Sequence, residues 1–385
     1  MSAPLEGIVV VALEQAISAP FATRQLADLG ATVLKIERPE GDFARHYDSA
    51  VLGESAFFVW ANRGKESVVL DIKDPDDSAT FFALIAGADV FIHNISPDAA
   101  ARLGIGAEQL HARFDHLIAC EISGYGAGGP RSDDKAYDLA IQAEAGAFSV
   151  TGDGEMSKVG FSVADISAGM YAMSGILAAL VRRERTGEGA AVSVAMLDSL
   201  VEWMSGPLYT AVHGGGQAPR TGRRHYAIAP YGTFALASGR TVLIAIQNDR
   251  EWQRMAEIVL VNSDLATDER FATNAARIAN VEETEEIVSE GLLLLSDDDA
   301  LARLAEAGIA TARVNDLADV WQHEQLRARG RFVEVDTPGG PLELLAEPFA
   351  ISEWSPGRRR IPALGEHDPA VVERTVGRGA SSSST

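Results

Sequence analysis

The chain has 385 residues, 46% hydrophobic and 23% charged, a balance typical of soluble globular proteins. A formal net charge of -22 argues against a broad basic surface, so we expect neither nucleic acid nor an anionic membrane as a partner. The single Cys120 excludes an intramolecular disulfide, and its apolar setting indicates a core residue. The N-terminus lacks a signal peptide's basic region and no apolar run would span a bilayer, which predicts a cytoplasmic protein.

The first 125 residues alternate short β-branched runs with helical patterns, which predicts a parallel sheet covered by helices. The predicted strands are "GIVVVAL", "ATVLKIE", "SVVLDI", "DVFIHN" and "HLIACEIS". The predicted helices between them are "APFATRQLADLG", "DDSATFFALIAGA" and "AAARLGIGAEQLHARF". This order indicates an α/β fold of the doubly wound type.

The second half of the chain begins with a passage rich in Gly, Pro and Arg, which indicates a linker or an active-site loop over residues 206–224. The run "YGTFALASGRTVLIAIQ" predicts a hairpin, and helices follow it to about residue 329. A second hairpin is predicted in "FVEVDTPGGPLELLAEPF". The stretch "LGEHDPAVVERTVG" suggests a terminal helix, and the tail at 379–385 should be disordered.

One carboxylate, Asp165, opens the apolar stretch "SVADISAGMYAMSGILAAL". Large apolar residues after it follow a helical spacing, and small ones, such as Ala168 and Gly175, form a second stripe nearly opposite, so we expect both helix faces to be buried. Asp165 could be an N-cap that accepts backbone hydrogen bonds. The same position would also suit a nucleophile or base, since small neighbours leave room for a substrate.

Several familiar site motifs are missing from the sequence. The junction after the first strand, "VALEQAISAP", lacks the glycine fingerprint of dinucleotide binding, and there is no G-x-S-x-G elbow. The eight histidines show no metal-binding spacing, so no metal is expected.

Segments spread over nearly the whole chain resemble the family III CoA-transferases, which include formyl-CoA transferase and carnitine CoA-transferase. The segments in order include "KIERPEGD", "NRGKESVVLDIK", "KAYDLAIQAEAG", "VADISAGMYAMSGILAAL" and "RTGEG". The resemblance implies a large Rossmann-like CoA-binding domain over 1–205, a smaller α+β domain over 225–325, and a segment over 326–378 that returns to the large domain. It also implies an interlocked homodimer.

The resemblance implies a mechanism centred on Asp165. This carboxylate would attack an acyl-CoA thioester, giving an aspartyl anhydride and free CoA thiolate. The thiolate would then form an aspartyl-CoA thioester, and a carboxylic acid acceptor would repeat the steps in reverse. Acyl-CoA and the acid are thus the implied substrates, with no tightly bound cofactor.

Residues that match the CoA-binding positions of the family are also implied. An acidic protein needs local cations for the phosphates of CoA, and Arg38, Lys73, Arg102 and Lys135 match such positions. The matched residues that would line the CoA cleft are Ile17, Leu70, Asn94, Ile95 and Ala99.

Two departures bear on the substrate. Formyl-CoA transferase has glutamine where this chain has Ile17, and glutamate where it has Asp138, beside Tyr137. The segments "KAYDLAIQAEAG" and "RHYAIAPYGTF" look more like members that act on dicarboxylic acyl groups, of mesaconyl, itaconyl or succinyl type. Residues that could then pair the distal carboxylate are Arg223, Arg224 and His225.

Two alternatives stay open at this point. An α-methylacyl-CoA racemase of the same superfamily would need a second acid/base group, and it has histidine where this chain has Tyr137. A non-catalytic acyl-CoA-binding protein would use the cations but leave Asp165 as a helix cap.

Overall fold

A computed structural model describes residues 2–357, 359–369 and 372. The chain divides into two compact units. The larger unit takes its residues from 1–147, 159–206 and 325–385, and the smaller from 148–158 and 207–324. The predicted tail at 379–385, and half of the predicted terminal helix at 364–377, lie outside the described residues.

The larger unit is built around a parallel sheet, which has six strands within the described residues. The strands are β1 Val9–Leu13, β2 Thr32–Glu37, β3 Lys65–Val69, β4 Val90–His93, β5 Ile118–Ser123 and β6 Ala190–Ala195. All neighbouring pairs are parallel, in the order β3-β2-β1-β4-β5-β6. This is the strand order of Rossmann folds, so the five predicted strands and the predicted α/β class are confirmed.

Helices cover both faces of this sheet. Their bounds are α1 Ser18–Asp28, α2 Ala56–Asn62, α3 Pro75–Ala86, α4 Pro97–Leu103, α5 Ala107–Arg113, α6 Asp138–Glu144, α8 Val163–Thr186 and α9 Met196–Trp203. Two further helices, α7 Ala147–Val150 and α10 Ser205–His213, belong mainly to the smaller unit. The single helix predicted over "AAARLGIGAEQLHARF" is wrong, because Gly104 ends α4 with φ of 71° and a second helix starts at Ala107.

Alternate residues of each strand face opposite core layers. Val10 packs in one layer with α1 and α8, whereas Val11 packs in the other with α3 and α5. In α8 the small side is buried, including Ala168 and Ala172, as predicted. The large-residue side is only partly covered, since Met170 is 36% exposed, so the expectation of two buried faces is wrong for this chain by itself.

Helix α8 is long and apolar enough to cross a membrane by length and composition alone. Of its apolar window, 56% is buried inside the chain. Core helices of globular proteins pass the same test, so this feature is only a weak indication of a membrane span.

The smaller unit contains an antiparallel sheet of β7 Tyr231–Ala235, β8 Thr241–Ala245 and β9 Ala310–Arg313. The first predicted hairpin is therefore confirmed. Its helices are α11 Asp249–Arg254, α12 Asn274–Ala279, α13 Val281–Leu293, α14 Asp297–Glu306 and α15 Leu317–Trp321. Trp252 and Phe271 are fully buried in its core.

The boundaries of this unit differ from those expected. Residues 148–158 group with it, because Gln217 Nε2 donates to the Ser149 carbonyl at 2.7 Å and Arg220 Nε donates to the Gly154 carbonyl at 3.1 Å. The region expected as a linker, 206–224, mostly belongs to the same unit, and its first part is helical in α10.

The C-terminal segment contains α16 Glu324–Ala328 and strands β10 Phe332–Thr337, β11 Gly340–Leu345 and β12 Arg359–Arg360. Strands β10 and β11 are antiparallel, which confirms the second predicted hairpin. The segment packs on the larger unit through backbone bonds. Gly64 N donates to the Arg360 carbonyl at 2.8 Å, and His367 N donates to that of Ser67 at 3.0 Å.

Candidate active site

A cavity of about 650 Å³ opens in the larger unit where β1 and β4 end. Strand order reverses between these two strands, and open α/β sheets bind ligands at such a point. The lining residues come from the segments after β1, β2, β4 and β5, from α2 and α6, and from the start of α8. They include Gln15, Ala16, Ile17, Ser18, Phe43, Tyr47, Phe57, Asn94, Ile95, Ala99, Lys135, Tyr137, Asp138 and Asp165.

Asp165 is the third residue of α8, and its carboxylate lines the cavity. The N-cap of the helix is Ser162, so the interpretation of Asp165 as an N-cap is wrong. The acid still lies in the first turn, where the helix dipole favours negative charge. Burial, and to a smaller extent the charge of Asp138, raise its pKa to about 7, and the Ser18 side chain opposes this rise.

Asp138, the first residue of α6, is the acid that caps α8. Its Oδ1 accepts from the backbone N–H of Ala164 at 2.8 Å and from that of Asp165 at 3.4 Å. Its Oδ2 accepts from Gln142 Nε2 at 2.7 Å. Oδ1 of Asp138 thus fixes the start of α8, Oδ2 is held within α6, and Asp165 lines the cavity.

The loop from β1 to α1 forms the wall opposite. The amide of Asn94 holds this loop, since its Nδ2 donates to the Gln15 carbonyl at 2.8 Å and its Oδ1 accepts from Gln15 N at 3.0 Å. Ala16 has a φ of 59°, a conformation that costs energy for a residue with a side chain. Its N–H donates to Asp42 Oδ1 at 3.1 Å, which helps to hold this conformation.

A buried charge cluster lies beside this loop. We call Glu14, Lys35, Asp42 and Lys65 the buried ion cluster. Lys35 Nζ lies 2.8 Å from Asp42 Oδ2 and 3.4 Å from Glu14 Oε1, and Lys65 Nζ lies 2.6 Å from the same Glu14 oxygen. Burial lowers the pKa of Lys65 to about 7. Sequence reasoning missed this cluster, although lysines in the strand sequences "TVLKIE" and "KESVV" were a signal for it.

A second cavity, of about 570 Å³, lies beside the first and shares Gln15, Ile95 and Ala99 with it. It contains Arg38, Leu70 and Lys73, all predicted to bind CoA, at the ends of β2 and β3. Arg38 Nε donates to the Gly41 carbonyl at 3.0 Å.

The other predicted residues lie elsewhere. Arg102 is exposed on α4 and is not among the described residues that line either cavity. Arg223, Arg224 and His225 belong to the smaller unit, where Arg224 Nη1 is 4.0 Å from Glu285 Oε2. The ring of His225 stacks on Tyr226 and Tyr231, with centroids 5.1 and 5.3 Å away.

Sequence reasoning missed an aromatic wall of the first cavity. The Tyr47 ring contacts those of Phe43 and Phe57, each at a centroid distance of 5.7 Å. Burial, with the nearby charges of Asp42 and Asp165, raises the pKa of Tyr47 to about 12. The signal was the aromatic spacing in "DFARHYD", directly after the motif "KIERPEGD".

No group of three or more His, Cys, Asp or Glu side chains is placed to hold a metal ion in the described part of the chain. The sheet and its cavities define an α/β protein of the doubly wound class, in which ligands commonly bind where the strand order reverses. The chain matches the model of CoA-transferase family III over residues 5–368 and belongs to that family. It is an enzyme, and CoA thioesters are its substrates.

Relatives support this assignment over nearly the full chain. The succinate–glutarate CoA-transferase of Agrobacterium fabrum is 34% identical, over 97% of this chain and 97% of its own. The acetyl-CoA:oxalate CoA-transferase of Acetobacter aceti is also 34% identical, over 89% of each chain. The crystal structure of a CAIB/BAIF family protein from Brucella suis superposes with a TM-score of 0.85 at 34% identity, covering 98% of this chain and 100% of that one.

Proposed function

We propose that the enzyme moves CoA from an acyl-CoA thioester to a carboxylic acid acceptor with Asp165 as the nucleophile. The observation that carries this proposal is the place of the carboxylate. Asp165 lines a cavity that shares Gln15, Ile95 and Ala99 with the neighbouring cavity of Arg38 and Lys73. A thioester could then face Asp165 while the CoA phosphates meet the cations.

The proposed reaction consists of four substitutions at carbonyl carbons, two with the donor and two with the acceptor. An Asp165 oxygen attacks the thioester carbon, the C–S bond breaks, and CoA leaves as a thiolate. The thiolate attacks the aspartyl carbon of the anhydride, which releases the donor acid and leaves CoA on Asp165. The acceptor carboxylate then displaces CoA from Asp165, and the returning thiolate takes the acceptor acyl group and restores the Asp165 carboxylate.

The electrostatics of the site support this role. A nucleophilic carboxylate must be ionised, and one that is too well stabilised reacts poorly. Burial next to Asp138 leaves Asp165 with a pKa of about 7, so the ionised form is present at neutral pH without strong stabilisation by a cation.

Mass spectrometry tests the nucleophile. After mixing with succinyl-CoA, the peptide that contains Asp165 should carry a CoA-sized adduct, and Asp165→Asn should lose both the adduct and transfer. Asp198→Asn is the matched control, because Asp198 is also the third residue of its helix, α9, but is exposed outside the cavity. An unchanged transfer rate in Asp165→Asn would falsify the proposal.

We further propose that the acyl groups are dicarboxylic. Succinate, glutarate and oxalate, which the names of these relatives give, are dicarboxylic acids, whereas the acetyl donor of the oxalate enzyme is not. The oxalate relative is the reason to measure small acids as well, although this chain differs from formyl-CoA transferase at Ile17 and Asp138. Lys135 is the one cation among the described residues lining the first cavity, and Arg223, Arg224 and His225 stay predicted partners for a distal carboxylate.

A panel of matched acceptors tests this specificity. Succinate should exceed butyrate, and glutarate should exceed pentanoate, by at least about tenfold in kcat/KM, because one extra charged contact is worth ~1.4 kcal/mol or more. Equal rates for each pair would contradict a distal-carboxylate site. Mesaconate, itaconate, oxalate and formate complete the panel.

The transferase is favoured over a racemase because the named relatives are transferases and Tyr137 replaces the racemase histidine. Incorporation of α-deuterium into a 2-methylacyl-CoA, without an acceptor acid, would reverse this choice.

The interlocked homodimer and the cytoplasmic location stay predictions. Helix α10 buries none of its residues within this chain, which is compatible with burial against a second copy in a dimer. Light scattering would measure the molar mass in solution and so test the dimer.

A further inference from the structure

The hydroxyl of Ser18 is held in one orientation by Asn94. Ser18 is the buried first residue of α1, and its Oγ accepts a hydrogen bond from Asn94 Nδ2 at 3.0 Å. An amide nitrogen only donates, so the serine oxygen is the acceptor in this bond and its own proton remains available for another partner. The Asn94 amide cannot be reversed without losing both of its bonds to the Gln15 backbone.

A close approach of two helices places this hydroxyl beside Asp165. At Gly169, one turn after Asp165 on the same side of α8, an added Cβ would lie only 2.7 Å from the Ser18 carbonyl oxygen. The missing side chain lets the start of α1 pack directly on the first turns of α8. Ser18 and Asp165 both line the first cavity, so the serine proton that Asn94 leaves available lies at the same wall as the Asp165 carboxylate.

We propose that the Ser18 hydroxyl donates a hydrogen bond to the Asp165 carboxylate, and that Ser18 is thereby a positioning residue that holds this carboxylate ionised and directs its free oxygen into the cavity. Asn94 fixes the serine oxygen, the serine proton fixes one oxygen of Asp165, and the other oxygen remains for attack on the thioester. The inference rests on the proposed nucleophilic role of Asp165 and adds the residues that prepare that nucleophile.

The proposed hydrogen bond from Ser18 opposes burial and the Asp138 charge, the two effects that favour the protonated form of Asp165. Burial and the Asp138 charge raise the pKa of Asp165 to about 7, and the bond from Ser18 lowers it. Loss of the serine hydroxyl should therefore raise this pKa further. The ionised fraction at a given acidic pH would then fall.

The test is the pH profile of kcat/KM for Ser18→Ala with succinyl-CoA and glutarate. The midpoint of the acid limb should move upward by about one pH unit, so that activity falls about tenfold at pH 6 and much less at pH 9. The control is Ser167→Ala, because the buried Ser167 hydroxyl on α8 donates to the Ala164 carbonyl at 2.9 Å. Its midpoint should match that of the unaltered enzyme.

A second measurement separates the pKa effect from a loss of folded enzyme or of CoA binding in Ser18→Ala. This measurement is the pH profile of the rate of adduct formation on the Asp165 peptide at saturating succinyl-CoA. The midpoint of its acid limb should move upward by the same amount. An unshifted midpoint in both measurements, or an equal shift in Ser167→Ala, would overturn the role of Ser18. An adduct that persists in Asp165→Asn would instead overturn the proposed nucleophile, so the two failures differ.

Discussion

Asp138 Oδ1 accepts a hydrogen bond from the backbone N–H of Asp165 at 3.4 Å, so one acid holds the main chain of the other. The same oxygen also receives Ala164 N at 2.8 Å. The two carboxylates are therefore fixed near each other at the start of α8, and the charge of Asp138 contributes to the raised pKa of Asp165.

Replacement of Asp138 by asparagine should make Asp165 more acidic. Asn keeps an oxygen that can accept from Ala164 N but removes the negative charge that disfavours ionised Asp165. The acid limb of kcat/KM should thus move down by about one pH unit, opposite to the shift expected for Ser18→Ala. Asp138→Ala also loses the cap and should cost about 1 kcal/mol in unfolding free energy. A midpoint in Asp138→Asn that stays or rises would contradict this coupling.

Asp165 should reduce the stability of the folded enzyme above neutral pH. Its folded pKa, about 7, lies above its ordinary value of 3.8, so the folded state binds the proton more tightly than the unfolded state. The contribution of Asp165 to the free energy of unfolding is fully present below pH 4 and is lost as the pH rises through 7. At pH 8, the free energy of unfolding of Asp165→Asn should therefore exceed that of the unaltered enzyme by about 1–3 kcal/mol, and the variant should unfold at a higher denaturant concentration.

Below pH 4 this gain should vanish, because both proteins then carry a neutral side chain at position 165. Urea unfolding at pH 8 and at the lowest pH that keeps the chain folded measures the difference. Asp198→Asn provides the control, since that exposed acid should show no such pH-dependent gain. Equal stability of Asp165→Asn and the unaltered enzyme at pH 8 would contradict the raised pKa.

Gly169→Ala should separate α1 from α8. The new methyl carbon would lie 2.7 Å from the Ser18 carbonyl and 3.0 Å from Phe21 Cδ1, and backbone cannot yield as a flexible side chain does. We expect a loss of about 1–3 kcal/mol in unfolding free energy and at least about tenfold in kcat. Gly206→Ala, in α10, is the matched control because no atom lies within 4 Å of its added carbon. A Gly169→Ala enzyme with normal kcat would show that this close approach is not needed.

Arg38 should contribute to binding of CoA rather than to chemistry. It lines the second cavity at the end of β2, beside Lys73. Arg38→Ala should raise KM for the acyl-CoA about tenfold, the loss expected for one charge-assisted hydrogen bond of ~1.4 kcal/mol, with kcat changed less than about threefold. Arg185→Ala removes an exposed arginine in the last turn of α8 and should leave KM unchanged. A kcat effect larger than the KM effect would disagree with this assignment.

Much of the larger unit was predictable because β-branched runs and helical patterns are local signals. The runs that contain Val10 and Val90 became strands as expected, since they alternate with helices in a βαβ order, whereas their pairing as neighbours was not predicted. The break at Gly104 was less accessible, because a glycine inside a helical pattern is tolerated at some positions and ends the helix at others.

The site required three-dimensional information. Asp165 stood out because a lone acid precedes an apolar helix, but the residue that caps that helix, Asp138, lies 27 positions earlier in the chain. The contact of Ser18 with α8 depends on a single missing Cβ at Gly169, and no local pattern reveals which stretch packs there. Pairings across such distances follow from packing, whereas sequence periodicity reports only which side of an element is apolar.

The buried ion cluster limits how this enzyme can be engineered. Glu14 follows β1, Lys35 lies in β2, Lys65 begins β3, and Asp42 holds Ala16 in the cavity wall, so four separate segments share one set of charges. A library that replaces one of these residues leaves a partner charge without compensation in the core, and most of its members should fail to fold. Libraries for new acceptors should therefore vary the aromatic wall and change the four cluster positions only in concert.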